Sequence, residues 1–153
     1  MIKENISKEM IIALKNKESE KLLILRTMLS KIKDKEINSR DLTKEVTQTL
    51  ADSEVIAVLK QMIKQRQDSI ELYKKGDRLE LANKEQFEID IILQFMPKQL
   101  NAQETKDVVL KAIAEVKPAN AKEIGKVIAY LKANFGANID MAVASNIAKE
   151  NLQ

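Results

Sequence analysis

Between Asp52 and Pro97 apolar residues recur at helical spacing along two stretches separated at a single glycine, Gly76. In DSEVIAVLKQMIKQRQDSIELYKKG, Ile56, Ile63 and Ile70 repeat at one heptad; Leu59, Arg66 and Tyr73 follow each of them, and Val55, Met62 and Ser69 widen the stripe. This pattern predicts one long amphipathic helix, N-capped by Asp52 and about 34 Å long from Ser53 to Lys75 at ~1.5 Å per residue. Gly76 is expected to adopt the left-handed conformation that stops a helix, and Asp77 with Glu80 to form the capping box of the next one. That second helix carries Leu81, Ala82, Ile89, Ile92, Leu93 and Met96 on its apolar side and ends at Pro97, so the two should fold back as an antiparallel hairpin. A hairpin centred just before Gly76 sets Ile70 opposite Leu81, Met62 opposite Ile89 and Leu59 opposite Ile92. It also sets Arg66 opposite Glu85, the two charged residues that interrupt the stripes. Either both snorkel to solvent or they form a partly buried ion pair that fixes register.

The flanking segments follow the same logic. Ile2, Ile6, Met10, Ala13 and Leu14 mark one face of an N-terminal helix, a break is expected near Asn16–Ser19, and Leu22, Leu25, Met28, Leu29 and Ile32 mark the next helix. Lys31, Lys33 and Lys35 sit around its C-terminal end, where cations favour the helix dipole. The polar segment 38–51, NSRDLTKEVTQTLA, reads as a loop with one helical turn. After Pro97 the helices become shorter and alanine-rich, which places a domain boundary at Pro97–Asn101 and divides the chain into 1–96 and 97–153. Asn101 with Glu104, and Asn120 with Glu123, are capping boxes. The first opens a helix through Val109 and Ile113 that Pro118 closes; the second opens one through Val127 and Leu131 with Gly136 as its C-terminal cap. Asp140 caps a last helix through Val143, Ala144, Ile147 and Leu152.

Composition agrees with an all-helical chain. Only 3 glycines and 2 prolines occur in 153 residues, 44% of which are apolar and 32% charged. No apolar run approaches the length of a membrane span, and the N-terminus has neither the apolar core of a signal peptide nor the character of a transit peptide, so a cytoplasmic protein is expected. Cysteine and histidine are both absent. That removes thiol nucleophiles, thiolate metal sites, the side chain that titrates near neutrality and the commonest zinc ligand. Glu85, Glu88 and Asp90 lie close in sequence, but a di-metal helical site would draw on a Glu-x-x-His pair, so neither metal nor cofactor is expected. Gly76, Gly125 and Gly136 stand alone and form no phosphate loop. Charge is mildly basic in both halves, with 18 basic against 17 acidic residues in 1–96 and 8 against 6 in 97–153. Lys122 and Lys126 share a helix face, either as solvated surface or as a contact to phosphate. Aromatic residues make up 3% of the chain, which argues against base stacking on single strands.

LRTMLSKIKDKEI, VLKQMIKQRQDSIELYKKGDR, LANKEQFEIDIILQFMPKQL and IGKVIAYL resemble the YqeY family of small helical proteins, across nearly the whole chain. The resemblance implies a two-domain helical fold whose C-terminal part is similar to the tail domain of the B subunit of glutamine-dependent tRNA amidotransferases. In that enzyme the tail touches tRNA, and the chemistry resides in other domains. The carbon–nitrogen ligase activity with glutamine as amido donor, which family labels inherit, finds no catalytic residue set here. In the final segment, relatives resemble GRADGKLVSQLVK where this chain reads GANIDMAVASNIAKENL: Gly136 and Asp140 match, while an arginine and one lysine do not. The resemblance therefore implies Lys122, Gly125, Lys126 and Lys149 as RNA-binding candidates. It also implies tRNA, with an amidotransferase or an aminoacyl-tRNA synthetase, as partners. The expectation is a non-catalytic tRNA-associated binding module. The alternatives are a protein-interaction adaptor using the long hairpin, and the inherited ligase activity.

Overall fold

Helix is the only regular structure among the described residues, 1–39 and 49–152 of the computed structural model. Seven α-helices follow in order: α1 (Ile2–Lys15), α2 (Ser19–Asn38), α3 (Asp52–Lys75), α4 (Leu79–Leu93), α5 (Ala102–Val116), α6 (Ile124–Phe135) and α7 (Met141–Leu152), with a short 3-10 turn at Ala121–Glu123 before α6. The chain divides into two compact units, Met1–Met96 and Pro97–Gln153. The loop expected over 38–51 falls, for residues 40–48, outside the described residues, and Asn38 itself closes α2.

In the first unit α1 pairs with α2 and α3 with α4. Both pairs are closed by one kind of turn. At α1–α2 the Glu18 N–H donates to the Ala13 carbonyl at 3.0 Å, and at α3–α4 the Arg78 N–H donates to the Tyr73 carbonyl at 2.8 Å. These bonds reach back five residues across a left-handed residue, Lys17 (φ 59°) in one turn and Asp77 (φ 56°) in the other. The expected role of Gly76 is thereby corrected: it stays at φ −88°, and Asp77 takes the left-handed position. The Asp77–Glu80 capping box does not form, because Arg78 is the N-cap of α4 and makes no side-chain cap bond.

Turning about Asp77 rather than before Gly76 lengthens the connection and slides α4 along α3. Arg66 therefore meets Glu88, Nε to Oε2 at 2.8 Å, and not Glu85 as the sequence pattern implied. Arg66 also donates from Nη1 to the Met62 carbonyl at 3.2 Å, and the two charged side chains are 15% and 18% exposed. Around them Ile70, Ala82 and Ile89, flanked by Ile63 and Tyr73, form a small apolar cluster within the hairpin. The main core is separate, with Ile6, Leu25, Met28, Ile32, Leu59 and Ile92 fully buried where all four helices meet. Leu14 and Leu93, expected on core faces, are exposed, since each lies at the edge of its stripe.

Asp52 is the first helical residue of α3 rather than its N-cap, which is Ala51. Its carboxylate instead accepts the Ile2 N–H at 3.1 Å and so satisfies a free donor at the start of α1, fifty residues away. Glu54 accepts the Ala51 N–H at 3.1 Å and tightens the start of α3. A second carboxylate, Glu36, continues the Leu25–Met28–Ile32 face of α2 and is 6% exposed. It is satisfied by the Lys3 ammonium at 2.7 Å and by the Leu50 N–H at 3.5 Å. An unpaired carboxylate at that depth would be strongly destabilising, so Lys3 is what makes a glutamate tolerable there.

The second unit packs α5, α6 and α7 against one another around Val109, Ala112, Val127, Leu131, Ile139, Ala144 and Ala148, all 0% exposed. Two of its N-caps follow the sequence pattern, while the Asn120–Glu123 capping box does not close, because Asn120 accepts from the Lys122 N–H and Glu123 from the Ala119 N–H. The Asn101 side chain accepts the Glu104 N–H at 2.8 Å, and Glu104 returns the bond by accepting from the Asn101 N–H at 2.9 Å. Asp140 accepts the Ala142 N–H at 2.9 Å. The segment after Pro97 is tied into this unit, with the Gln99 amide donating to the Ala137 carbonyl at 2.8 Å and the Leu100 N–H to the Asn138 carbonyl at 2.8 Å. Gly136 differs from expectation, having a right-handed φ of −54°. A Cβ there would lie 2.5 Å from the Lys132 carbonyl oxygen, so this position needs glycine for a close approach and not for a left-handed cap.

Candidate functional site

The start of α6 is assembled by its flanking residues. Lys117 takes a left-handed conformation (φ 50°) that ends α5 ahead of Pro118. Asn120 is extended, and its side chain accepts the Lys122 N–H at 2.9 Å, satisfying one of the free donors at the head of the 3-10 turn. Glu123 reaches back one residue further than a standard capping box, accepting the Ala119 N–H at 2.7 Å. Its other oxygen lies 3.2 Å from the Lys126 ammonium. First that backbone N–H and then the Lys126 charge hold the Glu123 carboxyl below the ordinary carboxylate range, so it is an anion at neutral pH.

Val127 and Leu131 anchor the inner face of α6 in the core, with Ile124 and Tyr130 packed partly against it. The outer face carries Gly125, Lys126 and Ala129, and Lys122 lies just ahead of it in the 3-10 turn, all exposed. The structure thus gathers three of the four sequence candidates, Lys122, Gly125 and Lys126, at the head of α6. Lys149 stands apart from them in the last turn of α7, where it is exposed. Sequence reasoning missed Lys132, which extends the same face one turn beyond Ala129, and it missed that Glu123 neutralises Lys126. The spacing of 122, 125, 126, 129 and 132 carries the first signal, and the i,i+3 pairing of opposite charges carries the second.

The lysines differ in their surroundings. The Lys126 side chain is 67% exposed yet paired, whereas the Lys122 ammonium has no partner among the described residues. Between them, Gly125 has an ordinary helical backbone with no positive φ, and nothing lies within 4 Å of where its Cβ would be. Packing gives no reason for glycine at that position in the first turn of α6, and glycine in a helix costs up to roughly 0.5–1 kcal/mol relative to alanine. Among the described residues, the head of α6 therefore carries one free and one paired lysine around an open glycine, where another surface can approach closely.

In the first unit, Glu88 is occupied by Arg66, Asp90 accepts from the Gln86 amide at 3.0 Å, and Glu85 is half-buried. No group of three acidic residues able to hold a metal ion lies among the described residues. Nor is any described helix long and apolar enough to cross a membrane.

A family model described as Yqey-like protein matches residues 3–152. An uncharacterized protein of Schizosaccharomyces pombe is 32% identical over 93 residues, covering 61% of this chain and 70% of its own. A Vanderwaltozyma polyspora protein named for altered inheritance of mitochondria, and designated mitochondrial, is 36% identical over 91 residues. That match covers 60% of this chain and 46% of the relative, so the chain spans about half the length of that protein.

Proposed function

The chain belongs to the YqeY family, and from that premise we propose that it is a non-catalytic module that binds folded tRNA through the outer face of α6. The observation that carries this reading is Gly125, an exposed glycine with no structural need for its missing side chain, set between Lys122 and Lys126. The resemblance of IGKVIAYL and its surroundings to a tRNA-contacting tail supplies the partner class. With 2 tyrosines, 3 phenylalanines and no tryptophan, contact by backbone and shape is favoured over stacking on unpaired bases. An amidotransferase or aminoacyl-tRNA synthetase is the protein that such a module would serve, and the cytoplasm its place of work.

The test is a fluorescence anisotropy titration of the full chain with folded tRNA and with an unstructured RNA of equal length, over a range of salt concentrations. The expected result is weak binding that prefers tRNA and falls steeply with salt, because lysine–phosphate contacts release counterions. Gly125→Ala separates folding from function: it should raise the thermal midpoint, since alanine is the better helix former, while weakening tRNA binding by crowding the contact. Replacing Lys122 and Lys126 with Glu should abolish binding and leave the fold intact. Equal affinity for both RNAs, or full binding by the Lys122→Glu/Lys126→Glu protein, overturns the reading. Leu72 and Leu79, exposed on either side of the Asp77 turn, then favour the adaptor reading, in which the hairpin meets a protein.

A further inference from the structure

The RNA face contains its own competitor. Glu123 is not a freely moving surface carboxylate: one oxygen is fixed by the Ala119 N–H at 2.7 Å, which aims the other at Lys126 at 3.2 Å. The Glu123 side chain is 32% exposed, against 67% for Lys126, so the anion is the held partner and the cation the movable one. It also stands at the N-terminal end of α6, where a bound phosphate would gain from the helix dipole. A carboxylate in that place presents the charge and the acceptor oxygens that a phosphate would present.

Resting on the tRNA reading above, we propose that Glu123 is an intramolecular phosphate mimic that occupies Lys126 in the free protein and must give it up when RNA binds, so that it sets the affinity of the face. Lys122 then makes the uncontested phosphate contact, and Lys126 contributes only the difference between a phosphate and Glu123. An exposed pair of this kind is weak, so the brake is mild. Its effect on affinity is on the order of two- to fivefold. Such a device keeps the contact reversible without removing the lysine.

The proposal is tested with the full chain, by tRNA titration of the parent, Glu123→Gln, Glu115→Gln, and Glu123→Gln combined with Lys126→Gln, with thermal midpoints alongside. Glutamine keeps an acceptor for the Ala119 N–H while removing the charge. Glu115 is exposed on α5 and controls for net charge. Glu123→Gln should bind roughly two- to fivefold tighter than the parent with a steeper salt dependence. Glu115→Gln should change affinity less, and the gain should disappear when Lys126 is also replaced. Should Glu123→Gln melt early, Lys122→Gln and Lys126→Gln are compared singly, and Lys122→Gln should lose more affinity. The proposal is overturned by a Glu123→Gln protein that binds like the parent, by an equal gain in Glu115→Gln, or by a gain that survives loss of Lys126. It is also overturned if Lys126→Gln loses as much as Lys122→Gln. A parent that does not bind tRNA removes the underlying reading as well, an outcome separable from the others.

Discussion

At the residue scale, this chain's short polar side chains act at helix ends, and where each acts depends on what the fold sets beside it. Asn101, Asn120 and Asp140 bond within three residues of themselves, so their roles were legible from spacing alone. Asp52 was not, because the donor it serves is Ile2 N–H, fifty residues away. Glu36 was readable in part: it falls on the buried face of α2, a signal that a partner must exist, but nothing local names Lys3. The left-handed residues carry a testable strain. Lys17 adopts φ 59° with a full side chain, where L-residues are disfavoured by roughly 1–2 kcal/mol. Lys17→Gly should therefore stabilise the protein by up to about 1 kcal/mol after the extra entropy of unfolded glycine is subtracted, seen as a higher midpoint in urea. Asp77→Gly should gain less, since aspartate tolerates that region better. A lower midpoint for Lys17→Gly would mean that the lysine side chain contributes contacts outweighing the strain.

At the scale of elements, the α3–α4 hairpin shows how a turn sets the partners along a whole seam. Periodicity located both helices and their apolar sides. It placed the axis too early because a glycine is the usual left-handed residue, whereas this turn uses the aspartate after it. The consequence is measurable. Arg66 and Glu88 are mostly screened from water, so removing either alone should cost on the order of 1–3 kcal/mol through the charge left behind. A double-mutant cycle in chemical denaturation should give a coupling above about 0.5 kcal/mol for Arg66 with Glu88 and near zero for Arg66 with Glu85. The reverse result would restore the earlier register.

At the scale of the whole molecule, each unit closes its own core, and the two predict different autonomy. The second unit is tied together by three caps and by the bonds of Gln99 and Leu100 to the turn after α6. A fragment from Pro97 onward should therefore fold cooperatively by circular dichroism, with a low stability of a few kcal/mol, as expected for a core of about 60 residues. A fragment ending at Met96 should keep its helices. A non-cooperative melt of the Pro97 fragment would show that its core needs the first unit. The sequence by itself determined the helical class, the position of nearly every helix, the caps at Asn101 and Asp140 and the family, because periodicity and side-chain capping act within a few residues along the backbone. Only the tertiary structure decided that Arg66 meets Glu88, that Asp52 serves α1, that Glu36 is buried against Lys3, and that Gly125 faces open solvent. Those outcomes depend on turn conformations and on groups far apart in the chain, whose approach no local pattern encodes.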